Sequence, residues 1–130
     1  MNLSKEHQTR KPVGKLTPSQ INKLDRLVQE LGLRDAHYSS ILGGQATEIH
    51  HFIGRTNRSV RWYRPNHIAL THAQHDSIES KDGKMVEDEI IDIKGKEWLE
   101  DLRIQARKDA RYLDYKHIVE HLMGKRDNYL

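Results

Sequence analysis

No cysteine occurs in the 130-residue chain, and this absence removes disulfides, zinc-thiolate centres and thiol nucleophiles together. Any metal must be held by His, Asp, Glu or Asn. Long apolar runs are missing too. Nothing approaches the roughly 20 residues that span a bilayer, and no apolar stretch near the start resembles a signal peptide. No membrane partner is therefore expected, and a cytoplasmic location is. Aromatic residues contribute only 6% and hydrophobic residues 35%, against 32% charged. That balance predicts a thin core with much solvated surface, which a second subunit would help to bury. Neither internal repeats nor low-complexity tracts are present.

The formal charge of +3 and a pI near 9.2 are compatible with a nucleic-acid partner without requiring one. The distribution says more. Arg55, Arg58, Arg61 and Arg64 recur at every third position, with Trp62 and Tyr63 among them, while acids gather between Glu87 and Asp92. Five of the nine histidines (His50, His51, His67, His72 and His75) lie in the same region as the arginines. Neutral imidazole is a common ligand for divalent metals. His50 and His51 are adjacent, so on a strand they point to opposite faces and should have different tasks.

The length suits one domain. Residues 1–16, with Lys5, Arg10, Lys11 and Lys15 and no period, read as a flexible basic arm, and residues 17–130 as a single domain. Thr17-Pro18-Ser19-Gln20 is a helix start, with Thr as cap, Pro in the first turn and Gln three positions on. Ile21, Leu24, Leu27, Val28 and Leu31 follow at helical spacing, which predicts a helix over 18–31 ending at Gly32. Gly43-Gly44 marks a turn before a short strand, Glu48-Ile49-His50-His51-Phe52. A long Arg-rich loop leads to a second strand, His67–Leu70, and then to a helix capped by Thr71 that carries His72, His75 and Ile78. After a break at Lys81-Asp82-Gly83-Lys84, the stripe Trp98, Leu99, Leu102, Ala106, Ala110 and Leu113 predicts one long helix. A last amphipathic stretch carries Ile118, Val119, Leu122 and Met123, so the C-terminal helices occupy 96–124. The expected class is α+β, mostly helical.

The run Glu48-Ile49-His50-His51-Phe52-Ile53-Gly54-Arg55, followed by Asn66, Leu70 and His75, resembles the ββα-metal motif of HNH endonucleases. In that family an adjacent pair opens the motif, a central Asn lies in the loop, and a helical His stands nine positions after the Asn, as His75 does after Asn66. The resemblance is nearest to phage recombination nucleases of the lambda NinG (Rap) type, whose Arg-Trp segment is matched by Arg61-Trp62. It covers residues 38–80, and more loosely extends to 108 through Glu97–Leu102. The fold it implies is a ββα-metal HNH core at 48–80, flanked by N-terminal and C-terminal helices.

The activity so implied is metal-dependent hydrolysis of DNA phosphodiester bonds, on branched recombination intermediates in a phage context, in the cytoplasm of the bacterial host. His50 and His75 take the metal-ligand positions, His51 that of the general base, and Asn66 pins the loop and orients His51. Arg55 is a phosphate clamp, and Arg58, Arg61 and Arg64 are nucleic-acid contacts. Glu48 and Asp76 are candidates for orienting a ligand ring. One divalent ion is expected: Mg²⁺ or Mn²⁺, with Zn²⁺, Ni²⁺ and Co²⁺ also suited to two imidazoles. The sequence departs from many relatives where two Cys-x-x-Cys pairs would hold a structural zinc. Ser40, Gly43, Thr71 and Gln74 stand there instead, so no thiolate zinc is expected and either packing from the flanking helices or the remaining histidines must brace the motif.

Bland alternatives accompany these readings. His67 is a strand residue without a catalytic role, and His72 is a solvated or capping side chain more than a third ligand. His117 and His121 form an i, i+4 pair of the kind that usually decorates a surface. Trp62 belongs to the core. Two other functions compete with the nuclease: an inactive HNH-like module that grips DNA without cutting, and a small DNA-binding regulator. A homodimer is compatible with the thin core and with cutting two strands.

Overall fold

The computed structural model describes residues 13–130; most of the expected basic arm, residues 1–12, lies outside them. The class is α+β and mostly helical. No helix among the described residues is long and apolar enough to cross a membrane.

Helix α1 spans Pro18–Asp35. Its start follows from local chemistry, because Thr17 and Gln20 form a reciprocal capping box and Pro18 fills the first turn. Its end corrects the expected stop at Gly32. The helix continues for three more residues, and Gly32 serves a close approach: a Cβ there would meet the Ile49 side chain at 2.9 Å. Leu24 and Val28 are buried on the inner face of the helix.

Strand β1 (Glu48–His51) pairs antiparallel with β2 (His67–Leu70), and His50 stands opposite Ile68 and His51 opposite His67. The expected Phe52 is not part of β1. Between the strands, the Arg-rich segment contains a short helix that sequence reading left as loop, α2 (Arg58–Arg61), capped by the Asn57 side chain. A 3₁₀ turn at Arg64–Asn66 then leads into β2. Helix α3 (His72–Ile78) follows β2 directly, with a second capping box from Thr71 and Gln74.

Alternation in so small a sheet separates two cores. Ile49 and Ala69 face a large cluster with Leu24, Val28, Trp62, Leu102, Ile118, Leu122 and Tyr129. Ile68 and Leu70 face a smaller one closed by Ile90, Ile78 and Trp98.

The C-terminal half is more broken than the stripe implied. Helix α4 (Gly83–Lys94) occupies a stretch for which no helix was expected, and Gly95 at φ 96° turns it into α5 (Lys96–Ala106). The expected single helix through Leu113 ends at Ala106, because Asp109 turns its carboxylate onto the Arg111 N–H and starts a 3₁₀ turn at Ala110–Tyr112. Helix α6 (Tyr115–Leu122) completes the fold.

Ser40, Gly43, Thr71 and Gln74 converge in space although no cysteine is present. Ser40 Oγ donates to Gln74 Oε1 at 2.5 Å, Gln74 Nε2 donates to the Gly43 carbonyl at 2.9 Å, and Gln74 Oε1 also accepts from the Thr71 N–H at 2.9 Å. The turn before β1 is thus tied to the cap of α3 by side-chain hydrogen bonds. Packing or the remaining histidines were the sequence-based expectation for this brace, and a polar network is found here.

Candidate active site at the outer edge of β1

β1 and α1 face one another across a cavity of about 690 Å³ lined by Asp25, Arg26, Gln29, His50, His51, Arg55, His75 and Glu79, among others. The two adjacent histidines leave the strand on opposite faces, yet both reach this cavity because it wraps the outer edge of β1. That edge is itself occupied. Gln29 accepts from the Ile49 N–H at 3.2 Å and donates to the Ile49 carbonyl at 3.4 Å, so a side-chain amide on α1 replaces the missing third strand.

His50 is 9% exposed and packs edge-on against His75, with ring centroids 5.2 Å apart. Burial first, then the neighbouring His75 and His51, lowers its pKa to about 4, so the ring is neutral at pH 7. His50 Nε2 is buried with no hydrogen-bond partner. His75 presents Nδ1 to Glu48 Oε1 at 3.0 Å, which fixes the ring and leaves Nε2 for another contact. Hydrogen bonding from His75, against slight burial and with further help from His72, holds the Glu48 carboxyl below its ordinary value. Glu48 thus orients a ring as expected, while Asp76 instead faces His72 Nε2 at 3.3 Å.

His51 is set for a different task. Burial, followed by the charge of Arg55, brings its pKa to about 4 against the opposing effects of the Arg61 carbonyl and Asp25. Its Nε2 is buried without a partner. The ring packs edge-on against His67 at 5.1 Å, and His67 Nε2 meets the same Arg61 carbonyl at 2.9 Å.

Asn66 is completely buried and acts on the loop. Its Oδ1 accepts from the Ile53 N–H at 2.7 Å, and its Nδ2 donates to the Ile53 and Val60 carbonyls at 2.9 and 3.1 Å. Among the described residues Asn66 makes no hydrogen bond to His51 itself; it holds the Val60 carbonyl, and the next carbonyl, that of Arg61, bears on His51.

The arginines separate. Arg55 lines the cavity and pairs with Asp25 Oδ2 at 2.9 Å. Arg61 bonds the same carboxylate through Nη2 at 2.8 Å and Nε at 3.3 Å, and Trp62 Nε1 adds a third donor at 2.9 Å. Arg64 pairs with Asp35 at the far end of α1. Arg58 is exposed beside Lys15 and Arg111 in a separate depression. Arg58, Arg61 and Arg64 therefore do not line the cavity.

Sequence reading missed Asp25, Arg26 and Gln29, whose signal was the polar face of α1 opposite its apolar stripe. It also missed Glu79, one helical turn after His75. The remaining histidines are peripheral. His72 is exposed and bonds Glu48 Oε2 at 2.6 Å, and this bond, with Asp76, raises its pKa. His121, expected at the surface, is 3% exposed: its Nε2 accepts from the Arg64 N–H at 3.0 Å, and its ring stacks on Tyr63.

The arrangement suits a divalent ion held by two imidazoles, since His50 offers an orphaned buried nitrogen and His75 a ring fixed from behind. Among the described residues, no three His, Asp or Glu side chains form a group that could hold a metal ion. An ion at His50 and His75 would therefore depend on water and substrate oxygens for the rest of its coordination. No protein-family model matches the chain, and no curated protein or solved structure is significantly similar to it.

Proposed function

We propose that the chain is a metal-dependent DNA endonuclease of the HNH, or ββα-metal, type. The observation that carries this reading is the meeting in one cavity of His50, His75 and Arg55 with a neutral His51 whose Nε2 has no partner, on a β1-β2-α3 unit whose loop is clasped by Asn66.

In this reading His50 and His75 hold one divalent ion, which when bound neutralises charge on the scissile phosphate and on the departing 3′ oxygen. His51 Nε2 takes a proton from water, and the resulting hydroxide oxygen attacks phosphorus. The P–O3′ bond breaks and the departing 3′ oxygen takes a proton from a solvent water, so the products carry 5′-phosphate and 3′-hydroxyl ends. Arg55 leaves Asp25 to clamp a phosphate oxygen, because Arg61 and Trp62 continue to satisfy that carboxylate. Glu48 keeps His75 oriented throughout.

The test is cleavage of supercoiled plasmid and of a synthetic four-way junction with Mg²⁺, Mn²⁺ or EDTA, comparing wild type with folded His51→Ala. Metal-dependent cutting that falls by at least about 10²-fold in the variant is the expected result. Branched DNA is the proposed substrate, and equal rates on the junction and on matched linear duplex would remove that part.

A second reading, a module that grips DNA without cutting, draws on the hold of Asp25 over Arg55 and on the two-ligand character of the metal position. Binding without cleavage under every metal tried would favour it.

A further inference from the structure

The arginines expected to grip DNA are partly engaged within the fold, since Arg61 is committed to Asp25 and Arg64 to Asp35. The surface that continues the cavity belongs to α1 instead. An open groove of about 700 Å³ is lined by Ser19, Asn22, Asp25, Arg26 and Arg55. Asp25, Arg26 and Arg55 also line the cavity at His50 and His51, so the two form one continuous depression.

We propose that this groove is the track for the DNA strand on one side of the scissile phosphate, with Ser19, Asn22 and Arg26 contacting successive backbone phosphates. The proposal rests on the nuclease reading of the cavity from which the groove leads.

Three features support it. First, Ser19, Asn22 and Arg26 stand at i, i+3 and i+7 on α1, which is one face of a helix. At about 1.5 Å of rise per residue they span about 10 Å, enough to cover the two nucleotide steps, about 7 Å of axial rise, that separate three successive phosphates of a strand. Second, their chemistry is hydroxyl, amide and guanidinium, the donors that serve phosphate contacts and position a duplex without reading its sequence. All three residues are exposed, and among the described residues none of these side chains has a hydrogen-bond or ion-pair partner.

Third, the charge has the right sign. Asp25 is the single acid among the residues lining the groove, and it is offset from within by Arg61 and the Trp62 N–H. Arg26 and Arg55 remain to face an anionic strand. Arg26 and Arg55 both line groove and cavity, but Arg55 is paired with Asp25 while Arg26 has no ion-pair partner among the described residues, so Arg26 should carry the largest share of the contact.

The experiment is fluorescence anisotropy of a labelled duplex and a labelled four-way junction in EDTA, across a salt series, so that binding is read without cleavage. Arg26→Ala should weaken binding several-fold and reduce the slope of log K against log salt by about one, the signature of one lost phosphate contact. Arg26→Lys should keep the slope, and Ser19→Ala with Asn22→Ala should weaken binding without changing it. Wild-type affinity and slope in Arg26→Ala would overturn the proposal. Cleavage assays separate the two readings. A protein that binds with an Arg26-dependent slope but never cuts retains the groove and loses the nuclease. One that cuts while Arg26→Ala binds and cuts as wild type retains the nuclease and loses the groove. Absence of any DNA binding by wild type overturns both.

Discussion

At the scale of single residues, Asn66 and Asp25 show how one short side chain can organise a site without touching substrate. Asn66 satisfies three main-chain groups of the loop at once, so Asn66→Ala leaves buried donors and acceptors unpaired. A loss of about 2–4 kcal/mol in urea unfolding is the expected outcome. A change under about 0.5 kcal/mol would show that the loop is held by other means. The role of Asn66 as the central loop residue was legible from its interval to His75, whereas its partners were not. Asp25 gave no sign in sequence beyond its place on the polar face of α1, where a carboxylate is usually solvated. Only the packing of α1 against the Arg-rich segment brings Arg55, Arg61 and Trp62 onto it.

Among elements, the short sheet depends on braces at both ends. Gln29 closes the outer edge of β1, and the Gln74 network ties the preceding turn to the cap of α3. The Gln74 side chain accepts from Ser40 Oγ and the Thr71 N–H and donates to the Gly43 carbonyl, so Gln74→Ala should cost about 2–3 kcal/mol. Because Ser40 acts through the same group, adding Ser40→Ala should cost much less in the double variant than it does alone. A double-mutant cycle by chemical denaturation checks both, and strict additivity would mean that the two residues act independently. Helix starts were legible wherever a capping residue and its reciprocal partner lie within four positions, as at Thr17 and Thr71. Helix ends were not: Gly32 reads as a stop, but the adjoining Ile49 comes from a strand distant in sequence. The stripe from Trp98 to Leu113 keeps its burial pattern over part of its length even though Asp109 breaks the helix, so periodicity concealed the break.

For the molecule as a whole, burial of neutral imidazoles makes stability depend on pH. His67 has its pKa lowered to about 3, by burial first and with smaller effects from His51 and His121. Its folded value lies below its unfolded one near 6.5, so its contribution is fully present above pH 6.5 and is lost as pH falls towards 3. His121 is displaced in the same direction, again mainly by burial. Asp25 acts lower on the scale. Burial raises its pKa, but the Arg61 and Trp62 hydrogen bonds and the charges of Arg61 and Arg55 outweigh it, so the folded value is below 3.8 and the stabilisation disappears only as pH falls through that lower value. Thermal melts should therefore show Tm falling from pH 7 to pH 4, with a shallower fall in His67→Asn. A flat Tm across that range would contradict burial of these rings in the neutral state.

The sequence by itself determined the local features: the α+β class, the starts of α1 and α3, the place of β2, the exclusion of thiolate chemistry, and the segment in which the histidines gather. These depend on neighbours within a few positions, where capping, alternation and composition act directly. Tertiary structure decided which side chains share the cavity. Gln29, Asp25 and Arg26 reach it because Gly32 lets α1 approach β1. Arg61 backs Asp25 without lining the cavity itself, and Arg64 is held away by Asp35, both acids on α1 and remote in sequence. Contacts of that kind depend on the distance between elements, which no local pattern records.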